Sequence, residues 1–148
     1  MYNSLKGTNK MGYPLRDQRQ NITHHVTSTC IDHEFLLKDE YLKMIFLNQI
    51  AKAQEKYIFE LNCFTIMDNH FHLVIKIIEG GDSISSIMQY IKSLFARIYN
   101  QLTNRTGPFW NSRFKSKIIE NAKDPINYFL NTILYLAYNP VNVQIVNN

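Results

Sequence analysis

Long apolar runs are missing from this sequence. No stretch of about 18 apolar residues occurs, and no apolar segment follows a basic N-terminus, so neither a membrane span nor a secretory signal is expected. Cysteine is scarce. Cys30 and Cys63 each lie in an apolar, strand-like run, which excludes a disulfide framework and suits reduced core thiols. A cytoplasmic protein is the default expectation. Repeats and long linkers are also absent. Acidic residues are missing altogether from 83 to 119, where Lys92, Arg97, Arg105, Arg113, Lys115 and Lys117 stand without a single Asp or Glu.

That local imbalance sits in a chain with 16 basic and 12 acidic residues, a net charge of +4. It points to an anionic partner, nucleic acid first, although a solvated basic face gives the same pattern. At 148 residues and 45% hydrophobic content, one domain is expected over 21–148. A chain of this size buries roughly 68–70% of its unfolded surface and needs no structural metal. Residues 1–20 show little apolar periodicity and read as a flexible N-terminal arm.

The β-branched run Ile22 to Cys30 predicts a strand. Asp39 caps a helix from Glu40 to about Lys56. Tyr57 to Met67 and His70 to Ile78 read as two strands, joined into a hairpin by the Asp68-Asn69 turn. Asp82 or Ser83 caps a long helix whose apolar stripe runs from Ile84 to Leu102. Thr103 to Gly107 is a loop, and Arg113 to Glu120 a fourth strand. Asp124-Pro125 opens a last helix, which Pro140 is expected to end near Asn139. The order predicts an α+β fold: a ferredoxin-like βαββαβ unit with an antiparallel sheet, plus an added C-terminal helix.

Function has to come from a site, because this fold hosts many chemistries. In His70-Phe71-His72 the two imidazoles share one strand face, close enough to chelate a divalent metal. Alone, the motif is better read as two ordinary histidines on a polar face. Stepping 100° per residue from Ile126, the last helix gathers Phe129, Leu130, Ile133 and Ala137 into an apolar stripe, with Leu134 and Leu136 on its flanks. Tyr135 falls on the far side with Tyr128, Asn131 and Asn139, one turn beyond it. Taken alone, Tyr135 is one tyrosine among nine. Together with the histidines it suits metal-assisted phosphodiester cleavage by a tyrosine nucleophile.

Three ordered motifs carry a resemblance to a known family. His70-Phe71-His72 is similar to a His-hydrophobic-His motif. Gly107-Pro108-Phe109-Trp110-Asn111-Ser112-Arg113-Phe114 looks like a Gly-x-x-Trp-x-x-Arg-Phe segment, and Tyr135-Leu136-Ala137-Tyr138-Asn139-Pro140-Val141 like Tyr-x-x-x-Asn-Pro-Val. The chain thus resembles the HUH single-strand DNA transposases, tyrosine transposases of the IS200/IS605 type, and within them the REP-associated branch. The likeness runs from about Ile22 to Val143.

The resemblance implies a transposase acting on single-stranded DNA with hairpins or imperfect palindromes. His70, His72 and Asn139 would hold Mg²⁺ or Mn²⁺. Tyr135, on the C-terminal helix, would be the nucleophile, forming a 5′-phosphotyrosine link and releasing a 3′-hydroxyl. It also implies a homodimer, with the tyrosine helix completing its own or the partner's site. Asp68 stands where proline is usual, a departure that changes the turn alone or else places a carboxylate near enough to touch a metal or its water. Arg105, Arg113, Lys115 and Lys117 interleave with aromatics as a DNA-binding segment would, with Trp110 as a stacking platform; core anchoring by the aromatics is the other reading. A non-catalytic, domesticated nucleic-acid-binding module on the same fold remains the alternative.

Overall fold

The computed structural model describes residues 16–145, the last seven of these by backbone alone. Four strands, β1 (Ile22–Thr29), β2 (Glu60–Ile66), β3 (His70–Ile77) and β4 (Lys115–Ile118), form one antiparallel sheet in the order β2-β3-β1-β4. Helix α1 (Glu40–Lys56) connects β1 to β2, and α2 (Ile84–Thr103) connects β3 to β4. This is the expected βαββαβ arrangement, followed by α3 (Pro125–Ile145).

Local chemistry explains most boundaries. The Asp39 carboxylate accepts from the Tyr41 N–H at the start of α1, and the Ser83 hydroxyl accepts from the Ser86 N–H at the start of α2. Asn104 ends α2 in the left-handed conformation. Alternation in β3 sends Phe71, Leu73, Ile75 and Ile77 into one core with Phe46 and Ile50 of α1 and Ile87, Ile91 and Phe95 of α2. The expected second and fourth strands are longer than those observed, because Tyr57 caps α1 and Ile119–Asn121 turn as a 3₁₀ segment. Among the described residues no helix is long and apolar enough to cross a membrane.

Residues 1–15, most of the expected N-terminal arm, lie outside the described residues. The remainder is pinned: the Arg16 guanidinium stacks on the Phe114 ring at 3.6 Å and donates to the Phe114 carbonyl.

Helix α3 departs from expectation twice. It lies on the opposite sheet face from the α1–α2 core, against Val74, Ile119 and Cys63, through Leu136, Tyr128 and Phe129. Ile126, Leu130 and Leu134, on the expected core stripe and its flank, are exposed. Leu136 lies ten residues after Ile126, so the buried seam is turned roughly 80° from the stripe. The second departure is length, since the helix continues through Pro140 to Ile145. A proline inside a helix leaves the carbonyl four residues earlier without its N–H donor. Here that carbonyl belongs to Leu136, and the buried Thr65 hydroxyl of β2 donates to it at 2.9 Å. A side chain therefore supplies the bond that would otherwise be lost.

Candidate active site

The register fixes what shares the α3 face of the sheet. Thr65, His72, Thr27 and Lys115 lie opposite one another across β2, β3, β1 and β4, and Cys63, Val74, His25 and Lys117 form the next row. His70 is two positions from His72 on the same face. The His70 and His72 rings lie 5.1 Å apart, centroid to centroid. From the other side, α3 brings the Tyr135 ring to 5.9 Å from that of His72 in an edge-to-face arrangement. Tyr135 is 55% exposed, so its face is open to a large substrate. The two histidines and the tyrosine converge within a single chain.

Hydrogen bonding assigns the nitrogens of His70 and links those of His72 and His25. His70 Nδ1 lies 2.6 Å from Asn69 Oδ1, which can only accept, so Nδ1 carries the proton and Nε2 keeps a free lone pair. The Asn69 amide donates to the His33 carbonyl at 3.3 Å, which holds its oxygen toward His70. His72 Nδ1 contacts His25 Nε2 at 3.0 Å, and His25 Nδ1 contacts the Tyr128 hydroxyl at 3.3 Å. The chain Tyr128–His25–His72 runs from α3 through β1 to β3. Sequence reasoning missed His25 and Tyr128 as members of this group. The available signal was the strand parity of His25, but parity shows a face only once strand pairing is known.

Burial keeps these imidazoles neutral. It lowers His70 below its ordinary 6.5 and takes His72 to about 4, with His70 and His25 nearby adding to the shift. Burial, then the positive Lys117, lowers His25, and burial also lowers His24. In each case the unfolded chain binds protons more readily than the fold. Stability is therefore unaffected above about pH 6.5 and falls as pH drops below it, toward about 4 for His72. Thermal melts in EDTA at pH 7.5, 6.0 and 5.0 should show steadily falling midpoints. A flat profile would mean these rings are not buried as described.

Neutral His70 offers its Nε2 lone pair, and neutral His72 offers the same when its Nδ1 donates to His25, a pair that suits a divalent cation completing its shell with water and phosphate oxygens. Among the described residues no cluster of three or more His, Cys, Asp or Glu side chains is disposed to hold a metal by itself. The Asn139 side chain lies outside the described residues. Asp68 is paired with Lys43 of α1 at 3.0 Å.

The basic segment divides. Lys115 and Lys117 are exposed on the histidine face. Arg105 instead donates to the Pro108 carbonyl at 3.0 Å, bracing its own loop. Arg113 lines a cavity of about 510 Å³ beside α2, with Lys92 and Phe114. Trp110 is not a free platform for bases. It is 9% exposed, its ring packs against Phe46, Phe71, Phe95 and Phe109, and its indole N–H donates to the Lys92 carbonyl. A bridge to Cys30 ties it to the end of β1, so aromatic core packing won over exposure. A separate cleft of about 450 Å³ opens beside Tyr135, lined also by His25, Tyr128, Asn131 and Lys123.

Comparison with known proteins gives a consistent result. The chain is 29% identical over 109 residues to a putative REP-associated tyrosine transposase of Haemophilus influenzae, covering 65% of this chain and 60% of that protein. It is 29% identical over 106 residues to the REP-associated tyrosine transposase of Escherichia coli, covering 72% and 58%. The match thus spans about three fifths of each relative's length. Its fold is that of a REP-associated tyrosine transposase solved bound to a REP hairpin, with a TM-score of 0.69, 24% identity, and 89% of this chain and 74% of that one covered. Residues 18–130 match the family model for IS200-like transposases, and with the sheet, the histidine pair and the tyrosine helix in place, the chain belongs to that family.

Proposed function

We propose that the protein is a transposase that cleaves and rejoins single-stranded DNA through a covalent 5′-phosphotyrosine at Tyr135. The observation that carries this reading is the approach of the exposed Tyr135 ring to His72, with His70 beside it. The Tyr135 oxygen attacks phosphorus, the bond from phosphorus to the 3′-oxygen breaks, and the 3′-hydroxyl leaves with a proton. The reverse step, with a 3′-hydroxyl attacking the phosphotyrosine, rejoins a strand without an external energy source.

His70 and His72 would hold Mg²⁺ or Mn²⁺ through Nε2, with Asn139 as the third protein ligand. When bound, the cation polarises the scissile phosphate and offsets charge developing on its oxygens. Asn69 holds His70 by accepting from Nδ1. His25 can do the same for His72. Once His72 Nδ1–H donates to His25 Nε2, His72 Nε2 is left bare for the cation, and His25 Nδ1–H can turn to Tyr128. Lys115 and Lys117 would follow the DNA backbone across the sheet.

The expected partner is single-stranded DNA carrying a hairpin. Incubated with hairpin-bearing oligonucleotides and Mn²⁺, the protein should give a covalent adduct on a denaturing gel, and EDTA should abolish it. Hairpin binding with no adduct in Mn²⁺ or Mg²⁺ would refute the enzyme and leave a binding module.

A further inference from the structure

We propose that Thr65 is a positioning residue for the nucleophile, its hydroxyl fixing the backbone of α3 one residue beyond Tyr135 at a carbonyl that Pro140 leaves without a helical donor. The inference rests on reading Tyr135 as the nucleophile. Thr65 is 5% exposed and Leu136 1%, so the hydrogen bond between them is shielded from water. In an unbroken helix the Leu136 carbonyl would accept from the N–H of residue 140. Proline has no such N–H, so the carbonyl must find a partner elsewhere or remain buried and unpaired.

The position of the donor gives the bond its consequence. Thr65 lies directly opposite His72 in the β2–β3 ladder. One hydrogen bond therefore links the strand position beside a proposed metal ligand to the helix position beside the proposed nucleophile. Apolar contacts at Leu136 resist separation but tolerate some rotation and sliding, because they have no direction. A hydrogen bond to a backbone carbonyl is directional. Neighbouring helical residues are about 100° apart, so holding residue 136 against β2 also sets the heading of residue 135. Pro140 and Thr65 act as a pair: the first frees an acceptor in the helix, and the second takes it for the sheet.

The test separates positioning from simple satisfaction of a buried group. Thr65→Val keeps the shape and deletes the donor, Thr65→Ser keeps the donor, and Pro140→Ala restores a helical N–H for the Leu136 carbonyl. With a cleavable hairpin oligonucleotide and Mn²⁺, Thr65→Val should slow adduct formation about tenfold, and Thr65→Ser should stay near the wild-type rate. Hairpin affinity should hold in both. Thr65→Val should also lower the melting temperature. Adding Pro140→Ala should recover that temperature while the slow adduct formation persists, since the carbonyl is then satisfied but no hydrogen bond ties it to β2. The inference is overturned if Thr65→Val reacts at the wild-type rate, or if Pro140→Ala restores rate and melting temperature together. Failure of the wild-type protein to form any adduct would instead remove the nucleophile itself, and this inference with it.

Discussion

Tyr135→Phe should abolish the covalent DNA adduct, lowering its rate of formation by on the order of 10³-fold or more, while hairpin binding persists. The substitution removes one oxygen from a ring that is 55% exposed, so it leaves no buried cavity and no orphaned partner. A folded, DNA-binding and inert variant is the expected outcome. Quantifying the adduct on a denaturing gel, alongside a melting curve and a binding isotherm, checks all three properties. Adduct formation at the wild-type rate would place the nucleophile elsewhere. Tyr138 is the first alternative to examine, because it is exposed on the same helix three residues on.

His72→Ala should be nearly as damaging but for a different reason. His72 is the meeting point of the site, touching His25 at 3.0 Å and lying edge-on to Tyr135. Its loss removes half of the imidazole pair. Mn²⁺ affinity measured by calorimetry should fall by about 100-fold or more, and adduct formation should fall with it. His25→Ala should lower Mn²⁺ affinity by only about 10–100-fold, because His25 orients a ligand without being one. If His25→Ala matched or exceeded His72→Ala, His25 would itself be a ligand and the assignment of His72 Nδ1 as its hydrogen-bond donor would be wrong. Unchanged affinity in His72→Ala would remove the metal from this face of the sheet.

Local signals in the sequence were enough for the elements that position the histidines. Asp39 announces α1 by its cap, the Asp68-Asn69 pair marks the hairpin, and strand parity puts His70 and His72 on one face. These features depend on near neighbours in the chain. The position of His25 beside His72 is different, because it depends on β1 pairing with β3 in one register across 47 residues. Helical periodicity likewise located the apolar stripe of α3 but not what covers it. The sheet took the seam around Leu136 instead, leaving Ile126 and Leu130 in solvent. Pro140 signals a helix end in isolation, and only the Thr65 hydroxyl from another strand makes continuation acceptable. Trp110 could have faced either a base or the core, and four buried phenylalanine rings decided for the core.

The thin anchoring of α3 has an energetic consequence. Of its described side chains only Thr132 and Leu136 are buried, whereas α1 and α2 each contribute several to the main core. Lifting α3 from the sheet therefore uncovers much less oily surface than melting the domain, and should require only a fraction of the global unfolding free energy. Helix α3 is thus the element that parts from the domain most cheaply, while the histidine sheet beneath it stays intact.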